Sequence, residues 1–407
     1  MQLLDSFYYS KSERSNRFLE EVEKFSEFGE KTRTETIDGT KYFVNEFWTA
    51  KQRKGHRLHE ISYRACFKSQ LPAFFIEKLT SPGEIVYDPF MGRGTTPIEA
   101  ALRRRIPYGN DANPLSKALA QPRIHAPAMR RVIARLTEIP WKEFREFERA
   151  DLLAFYHPGT LAAIEGLRAY FFRRLDRGEF DRTDDWIRMV ALNRLTGHST
   201  GFFSVYTMPP NQAVSIKSQI KINLRRKQTP PFRDVPSIIS KKSKTLLSQG
   251  IPDAPRSVLL TGKSDETTAI PDGVVSLTVT SPPFLDVVNY ETDNWMRCWF
   301  LGIEPNAVEI DQLGNLQEWQ GFIHSTLAEL ARITCVEGHV AFEVGEVRHG
   351  TVMLEKNIIA AAKGLPFRVL AVMVNQQSFT KTSNCWGVSN NKSGTNTNRI
   401  VLLKRTN

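Results

Sequence analysis

The sequence has only four cysteines in 407 residues, and no two of them form a Cys-x-x-Cys pair. Cysteines this far apart argue against a cysteine zinc site and against a disulfide framework, so we expect no metal site and a chain suited to the reducing cytoplasm. A run of about 18 apolar residues is also absent, which excludes a membrane partner through a spanning helix. The N-terminal stretch lacks the basic and apolar regions of a signal peptide.

Acidic residues are in the minority. The 44 aspartates and glutamates face 55 lysines and arginines, which leaves a net charge of +11. This excess favours a polyanionic partner, most simply nucleic acid, and indicates an association with the nucleoid. A basic surface that serves solubility alone is the alternative.

The pattern of apolar residues predicts an open α/β sheet interrupted by a long insertion. The stretch GEIVYDPFMGRGTTPIEAALRRRIPYGNDANP has the order strand, glycine turn, helix, strand, which is one unit of a parallel sheet. Strand-like runs resume at SVLLTG and continue through VVSLTVT, GHVAFEVGEV, PFRVLAVMVNQQ and NRIVLLKR. We therefore predict an N-terminal helix and hairpin, a sheet domain in two pieces, and a mostly helical or irregular insertion, at residues 1–55, 56–122 with 257–407, and 123–256.

Gly92 and Gly94 lie two residues apart where the first strand leads into its helix. Glycines at such a turn let the backbone approach a ligand closely and leave helix-start N–H groups exposed. The Gly-Lys-Ser/Thr ending of a phosphate-binding loop is absent, and Pro97 occupies the third glycine position of the dinucleotide motif. Asp111 follows the second strand, where a carboxylate can bind both hydroxyls of a ribose. S-adenosylmethionine, which has a ribose and no pyrophosphate, fits this pattern, although a plain turn with a surface aspartate is the alternative.

A rigid corner ends the strand VVSLTVT at Ser281, Pro282, Pro283 and Phe284. Two successive prolines lack N–H groups and fix φ, so the strand cannot continue. The Ser281 hydroxyl and the Pro282 carbonyl are acceptors that could hold an exocyclic amine of a base in line with a methyl donor. Phe284 offers a ring face on which a flipped base could stack. Taken alone, the four residues are also compatible with an ordinary loop.

Together the two motifs resemble those of a known family. Asp88-Pro89-Phe90-Met91-Gly92-Arg93-Gly94-Thr95-Thr96 is similar to DPFxGxGTT, the cofactor-binding motif of the amino-directed DNA methyltransferases, and Thr280-Ser281-Pro282-Pro283-Phe284 is similar to their catalytic motif. The resemblance extends over about residues 56–122 and 257–405, and it implies a Rossmann-like S-adenosylmethionine methyltransferase sheet. It implies catalytic roles for Ser281, Pro282, Pro283 and Phe284, and cofactor binding by Asp88, Phe90, Gly92, Gly94, Thr95, Asp111 and Asp265.

The chain departs from the family pattern before the catalytic strand. The family usually has Gly-Asp there, and the aspartate helps to hold the adenine of the cofactor. Here Gly262 is followed by Lys263-Ser264-Asp265, so Asp265 can take that role only if the turn is shifted.

The same resemblance bears on the base that is modified. Serine at the first catalytic position is typical of cytosine-N4 enzymes, and aspartate or asparagine there is typical of adenine-N6 enzymes. Serine-type enzymes often place the catalytic motif before the glycine turn, whereas Ser281 follows it here. We expect methyl transfer to cytosine N4 in double-stranded DNA with a flipped base, in a restriction–modification or related defence system with a companion endonuclease. Adenine-N6 transfer, an RNA substrate and a non-catalytic DNA-binding regulator stay open.

A basic segment lies within the predicted insertion. Residues 217–244 hold nine lysines and arginines against one acidic residue, Asp234. Positive side chains along an irregular segment can follow a phosphate backbone, and a solvated basic face is the alternative. We predict DNA contacts from Arg225, Arg226, Lys227, Lys241 and Lys242.

Overall fold

The computed structural model describes residues 10–49, 55–63, 66–207, 213–252, 254–283, 290–304, 315–345, 353–376 and 397–407. Within these ranges nine strands form one sheet in the order β1-β2-β8-β9-β7-β6-β3-β4-β5. Their bounds are β1 Arg33–Ile37, β2 Thr40–Asn45, β3 Ile85–Asp88, β4 Ile106–Gly109, β5 Val258–Leu259, β6 Val275–Thr280, β7 Thr334–Val344, β8 Phe367–Gln376 and β9 Thr397–Arg405.

The centre of the sheet is parallel. Strands β5, β4, β3, β6 and β7 run in one direction, and β9 lies antiparallel between β7 and β8. The predicted Rossmann-like α/β sheet is thereby confirmed. The predicted hairpin around Asp38 and Gly39 is also confirmed, since β1 and β2 flank this turn and both residues have positive φ. Strand β2 pairs in parallel with β8, so the hairpin extends the same sheet.

Helices cover both faces of the sheet. Those in the described ranges are α1 Lys11–Glu23, α2 Gln70–Leu79, α3 Thr95–Leu102, α4 Pro114–Ile124, α5 Met129–Glu138, α6 Pro158–Asp176, α7 Arg182–Leu192, α8 Ile216–Arg226, α9 Val235–Leu246, α10 Tyr290–Leu301, α11 Leu316–Ile333 and α12 Leu354–Ala361. Successive residues of β3 show the two layers: Val86 packs in one cluster with Phe18 and Phe75, and Tyr87 in another with Leu327. Burial on both faces explains why all six residues of β6 are buried, although Ser276, Thr278 and Thr280 alternate with its apolar residues.

Six of these helices, α4 to α9, lie between β4 and β5. Helices α6 and α7, which contain LAAIEGLRAYFFRRL and DDWIRMVAL, agree with the mostly helical insertion predicted above. The prediction of an irregular conformation for residues 217–244 is wrong, because this stretch contains most of α8 and most of α9. Helix α9 buries Val235, Ile239 and Leu246 in the cluster around Trp186, so one apolar residue per turn is enough to fix a strongly basic helix.

None of the described helices has both the length and the apolar character needed to cross a membrane.

A buried histidine joins α1 to the sheet. Nε2 of His339 on β7 lies 2.7 Å from the hydroxyl of Ser15 on α1, and the imidazole is buried. Burial, followed by the charges of Lys404 and Arg14, lowers the pKa of His339 from 6.5 to about 3. The folded state therefore keeps this histidine neutral. Its contribution to stability is complete above the unfolded-state pKa and is lost as the pH falls from 6.5 towards 3.

We expect His339→Gln to flatten the acid side of the stability profile. In the wild type, this group should reduce the free energy of unfolding with a slope that approaches about 1.4 kcal/mol per pH unit. Glutamine can still bond to Ser15 but does not titrate. Urea unfolding of both proteins at about pH 7 and about pH 5 measures the difference. Equal losses of stability in the two proteins would show that His339 is not the titrating group.

Candidate functional site at the carboxyl ends of β3 and β6

The glycine turn and the proline corner meet because their strands are neighbours. Strand β3 pairs in parallel with β6, so Asp88 and Thr280 end the two strands side by side. The Thr280 hydroxyl donates to Oδ1 of Asp88 over 2.6 Å, and the Thr96 hydroxyl donates to the carbonyl of Val279 over 3.0 Å. These bonds fix the two motifs against each other.

Asp88 is a buried hydrogen-bond acceptor that joins the two motifs. Its carboxylate accepts from Thr280 and from the backbone N–H of Phe90, 3.1 Å away. Burial raises the pKa of Asp88 to about 7, and these hydrogen bonds act in the opposite direction. The side chain is 1% exposed. The observed partners of Asp88 therefore hold the turn in place.

A pocket lies next to Asp88, at the carboxyl ends of β3 and β6. It brings together most of the predicted catalytic and cofactor-binding residues. Three residues that precede the glycine turn and three that follow β5 complete it. Its lining is formed by Tyr63, Cys66, Phe67, Asp88, Pro89, Phe90, Met91, Gly92, Thr95, Asp111, Ala112, Asn113, Gly262, Lys263, Ser264, Ser281, Pro282, Pro283 and Phe322.

Asp111 and Gly92 form one wall of the pocket. The N–H of Gly92 donates to Oδ2 of Asp111 over 2.8 Å, and the N–H of Asn113 donates to Oδ1 over 2.9 Å. Burial raises the pKa of Asp111, while these bonds lower it. Each carboxylate oxygen has a second lone pair, which leaves acceptor capacity for the hydroxyls of a ribose.

Aromatic rings form another wall. The ring centroids of Phe90 and Phe322 lie 5.6 Å apart with an interplanar angle of 41°. A planar heterocycle can pack against such rings, and the Asp111 carboxylate can accept from hydroxyls. The donor set and the apolar wall therefore fit the nucleoside part of S-adenosylmethionine.

Two arginines hold the segment before α2 against the glycine turn. Nη1 of Arg93 donates to the carbonyl of Ile61 over 2.9 Å, and Nη2 donates to that of Phe67 over 3.3 Å. Arg123 is fully buried, donates to the carbonyl of Leu58 over 2.9 Å and also bonds to that of Arg93. Nε of Arg93 also donates to the Thr95 hydroxyl over 3.2 Å. No spacing pattern in the sequence indicates the bonds to the segment before α2, because those bonds end on backbone carbonyls.

Gly94 has a different role from Gly92. A Cβ at Gly94 would lie 2.6 Å from the Cβ of Ala120 on α4, and its φ is +79°. A Cβ at Gly92 would instead meet Tyr63 and Cys66 in the pocket at 3.6 and 3.7 Å. The close approach that requires glycine at position 94 is thus to a helix.

The corner is held by two residues that sequence reasoning missed. The indole Nε1 of Trp319 on α11 donates to the carbonyl of Pro283 over 3.0 Å. Ser281 lies beside Glu343, near the end of β7, and its side chain lowers the pKa of that carboxyl group against the rise that burial causes. A lone glutamate inside the apolar run HVAFEV was the available signal for Glu343. Phe284 lies outside the described residues.

The remaining predicted residues are more dispersed. Asp265 is exposed, and the pocket wall near it is formed by Gly262, Lys263 and Ser264. No cluster of three or more histidine, cysteine or acidic side chains that could hold a metal ion occurs among the residues described.

The predicted DNA contacts divide into exposed and paired side chains. Arg225, Lys227 and Lys241 are exposed. The guanidinium of Arg226 lies 3.8 Å from the ring centroid of Tyr206. Lys242 forms a 2.6 Å ion pair with Glu60, so a phosphate would have to compete with that carboxylate.

The parallel sheet, the glycine turn and the pocket at the strand ends define a Rossmann-like methyltransferase architecture. Residues 6–121 match the family model described as DNA methylase. The Type II methyltransferase M.MvaI of Kocuria varians is 28% identical over 139 residues, which cover 33% of this chain and 26% of that protein. The predicted resemblance to the DNA methyltransferases of N4/N6 type is confirmed, and the family model matches the part of the chain that contains the glycine turn. The matched region spans about a quarter of the length of that relative.

Solved structures give weaker likenesses. A Thermus thermophilus protein described as a candidate DNA modification methylase, in complex with S-adenosyl-L-methionine, is 20% identical over 36% of this chain and 54% of its own, with a TM-score of 0.23. A TehB-like SAM-dependent methyltransferase from Corynebacterium glutamicum is 7% identical over 82% and 87%, with a TM-score of 0.30. At these scores the description of the fold rests on the strand order.

Gly94→Ala should destabilise the protein more than Gly92→Ala. Both residues have positive φ, so the difference between the variants isolates the contact with Ala120. Forcing a methyl group into that contact should lower the free energy of unfolding by about 1–3 kcal/mol. Urea unfolding measures both losses. In an Ala120→Gly background the effect of Gly94→Ala should shrink, and an unchanged effect would rule out the approach to the helix as its cause.

Proposed function

We propose that this protein transfers the methyl group of S-adenosylmethionine to the exocyclic N4 amino group of cytosine in double-stranded DNA. One observation carries the proposal. The acceptor-bearing corner at Ser281 and Pro282 lines the same pocket as Gly92 and Asp111. A methyl donor and a flipped base would therefore meet at the ends of two adjacent strands.

The cofactor would be held by groups that the pocket already presents. Asp111 would accept from the ribose hydroxyls, and the Phe90 side of the pocket would pack against the adenine. Tyr63 and Cys66 line the part of the pocket beside Gly92, where the methionine end would lie. When bound, S-adenosylmethionine supplies an electrophilic methyl group on a sulfonium.

The corner would act on the amine. The nitrogen of an exocyclic amino group is a poor nucleophile because its lone pair is delocalised into the ring. The Ser281 hydroxyl and the Pro282 carbonyl would accept its two N–H bonds and favour a pyramidal nitrogen in the transition state. The bond from Trp319 to the Pro283 carbonyl keeps the corner rigid, which limits reorganisation during the reaction.

The choice of cytosine over adenine rests on the side chain at position 281. A serine offers one hydroxyl, and within the family that it resembles this residue type accompanies cytosine-N4 transfer. Phe284 would supply the ring on which the extruded base stacks.

Helix α8 is the best candidate for the DNA contact surface. Lys217, Lys221 and Arg225 are spaced four residues apart, so they share one face, and all three are exposed. The helix is anchored on its other side by Asn223, whose Nδ2 donates to the carbonyl of Ala154 over 2.7 Å. A fixed row of cations with no acidic residue in the helix suits a phosphate backbone.

The proposal predicts a specific product. The purified protein, incubated with tritiated S-adenosylmethionine and unmethylated duplex DNA, should label the DNA. Nucleoside mass spectrometry of the digest should then show N4-methylcytosine. Ser281→Ala should lower kcat more than KM, because the missing acceptor acts mainly in the transition state. N6-methyladenine would overturn the base assignment alone, whereas absence of any methylated nucleoside would overturn the proposed activity.

Charge reversal on α8 should weaken DNA binding. Arg225→Glu should reduce the slope of log affinity against log salt by about 0.9 for each phosphate that the protein no longer neutralises. Lys41→Glu on β2 makes the same change in net charge at an exposed site and serves as the control. Fluorescence anisotropy over a salt series measures both slopes. Equal slopes for the two variants would place the DNA-binding surface elsewhere.

A further inference from the structure

Glu343 is a buried acid beside the corner. It is 4% exposed on β7, and the parallel pairing of Thr280 with Phe342 brings it next to Ser281. Its carboxylate accepts from Nδ2 of Asn398 on β9 over 2.8 Å, and the neighbouring Ser281 side chain lowers its pKa as a hydrogen-bonding group. Residues from β7, from β9 and from the position after β6 therefore meet at the Glu343 carboxylate.

Both of these partners are neutral, which distinguishes Glu343 from another buried glutamate. Glu355 is fully buried but forms a 2.9 Å ion pair with Arg399. Burying a carboxylate beside neutral donors is costly, and burial raises the pKa of Glu343. Such a group is more typical of a working site than of a structural core.

The hydrogen bond decides which way the serine hydroxyl points. A hydroxyl has one proton and two lone pairs. When the Ser281 proton is donated to the Glu343 carboxylate, both lone pairs of Oγ are left for the pocket. The hydroxyl is then an acceptor for an amine N–H. Without the carboxylate, the same hydroxyl could turn its proton towards the base.

We propose that Glu343 is the positioning residue that makes Ser281 an acceptor and that receives a proton through it after methyl transfer. This inference rests on the proposed function and names the group that completes it. The assignment does not depend on which base is modified, because cytosine and adenine both present an exocyclic amine.

The step balances without a further reactant. The amine nitrogen forms a bond to the methyl carbon, and the carbon–sulfur bond breaks with its electron pair left on sulfur. The methylated base then carries a positive charge, and its N–H proton passes to Oγ of Ser281. The original hydroxyl proton passes to Glu343, which becomes a neutral carboxylic acid and later releases the proton to solvent.

A double-mutant cycle tests this coupling. Single-turnover rates with saturating S-adenosylmethionine and duplex DNA would be measured for the wild type, Glu343→Gln, Ser281→Ala and the double variant. Glu343→Gln alone should slow transfer by about tenfold or more, with cofactor and DNA affinities within about twofold. In the Ser281→Ala background it should have almost no further effect, since the acid acts through the serine.

Two further variants complete the test, one as a control and one as a replacement for Glu343→Gln. Glu84→Gln removes a carboxylate that precedes β3, at the opposite end of that strand, and should leave the rate unchanged. Should Glu343→Gln fold poorly, Glu343→Met avoids burying an unpaired amide and should show the same loss of rate.

The outcomes separate the two proposals. A wild type that transfers methyl groups, combined with equal effects of Glu343→Gln in both backgrounds, would overturn the coupling and leave the proposed function standing. An unaffected rate in Glu343→Gln would do the same. A wild type with no transfer would overturn the proposed function and this inference with it.

Discussion

The hydrogen bond from Thr280 to Asp88 joins the two halves of the site. The two residues are separated by 192 positions in the chain, yet their side chains meet at 2.6 Å inside the sheet. Parallel pairing of β3 with β6 makes this possible, because the carboxyl ends of neighbouring parallel strands lie at the same edge. The glycine turn then starts from one end of this bond and the proline corner from the other. The two predicted motifs therefore reach the pocket from the two ends of one contact.

The same topology explains how a large helical insertion can be carried without disturbing the site. The chain leaves the sheet after β4 and returns at β5, and these two strands pair directly. The insertion nevertheless contacts the segment that covers the pocket, since Lys242 pairs with Glu60 and Gln249 accepts from the N–H of Arg57 over 2.7 Å. The insertion is therefore in direct contact with the segment that leads to Tyr63 at the pocket.

Local signals made the strands, the glycine turn and the corner predictable from sequence. Each depends on neighbouring residues, such as the prolines after Thr280 or the glycines after Asp88. Glu343 was missed because its partners come from β6 and β9, and no spacing rule links three distant strands. The helical state of residues 235–244 was missed because packing of Val235 and Ile239 outweighs the high charge of this part of the segment. Tertiary contacts decided both cases.

The distribution of charge gives the pocket and the surface opposite characters. Asp88, Asp111 and Glu343 end three strand regions of the sheet, burial raises the pKa of each, and neutral hydroxyl, amide or backbone N–H groups are among their hydrogen-bond donors. The whole chain, in contrast, carries a net charge of +11. With the proposed function, a basic exterior would attract a polyanion, while the Asp88 and Asp111 carboxyl groups that line the pocket would favour a sulfonium and a base that becomes positive as it is methylated. The proposed DNA binding and the proposed methyl transfer would therefore use opposite charges, which act at the surface and in the pocket respectively.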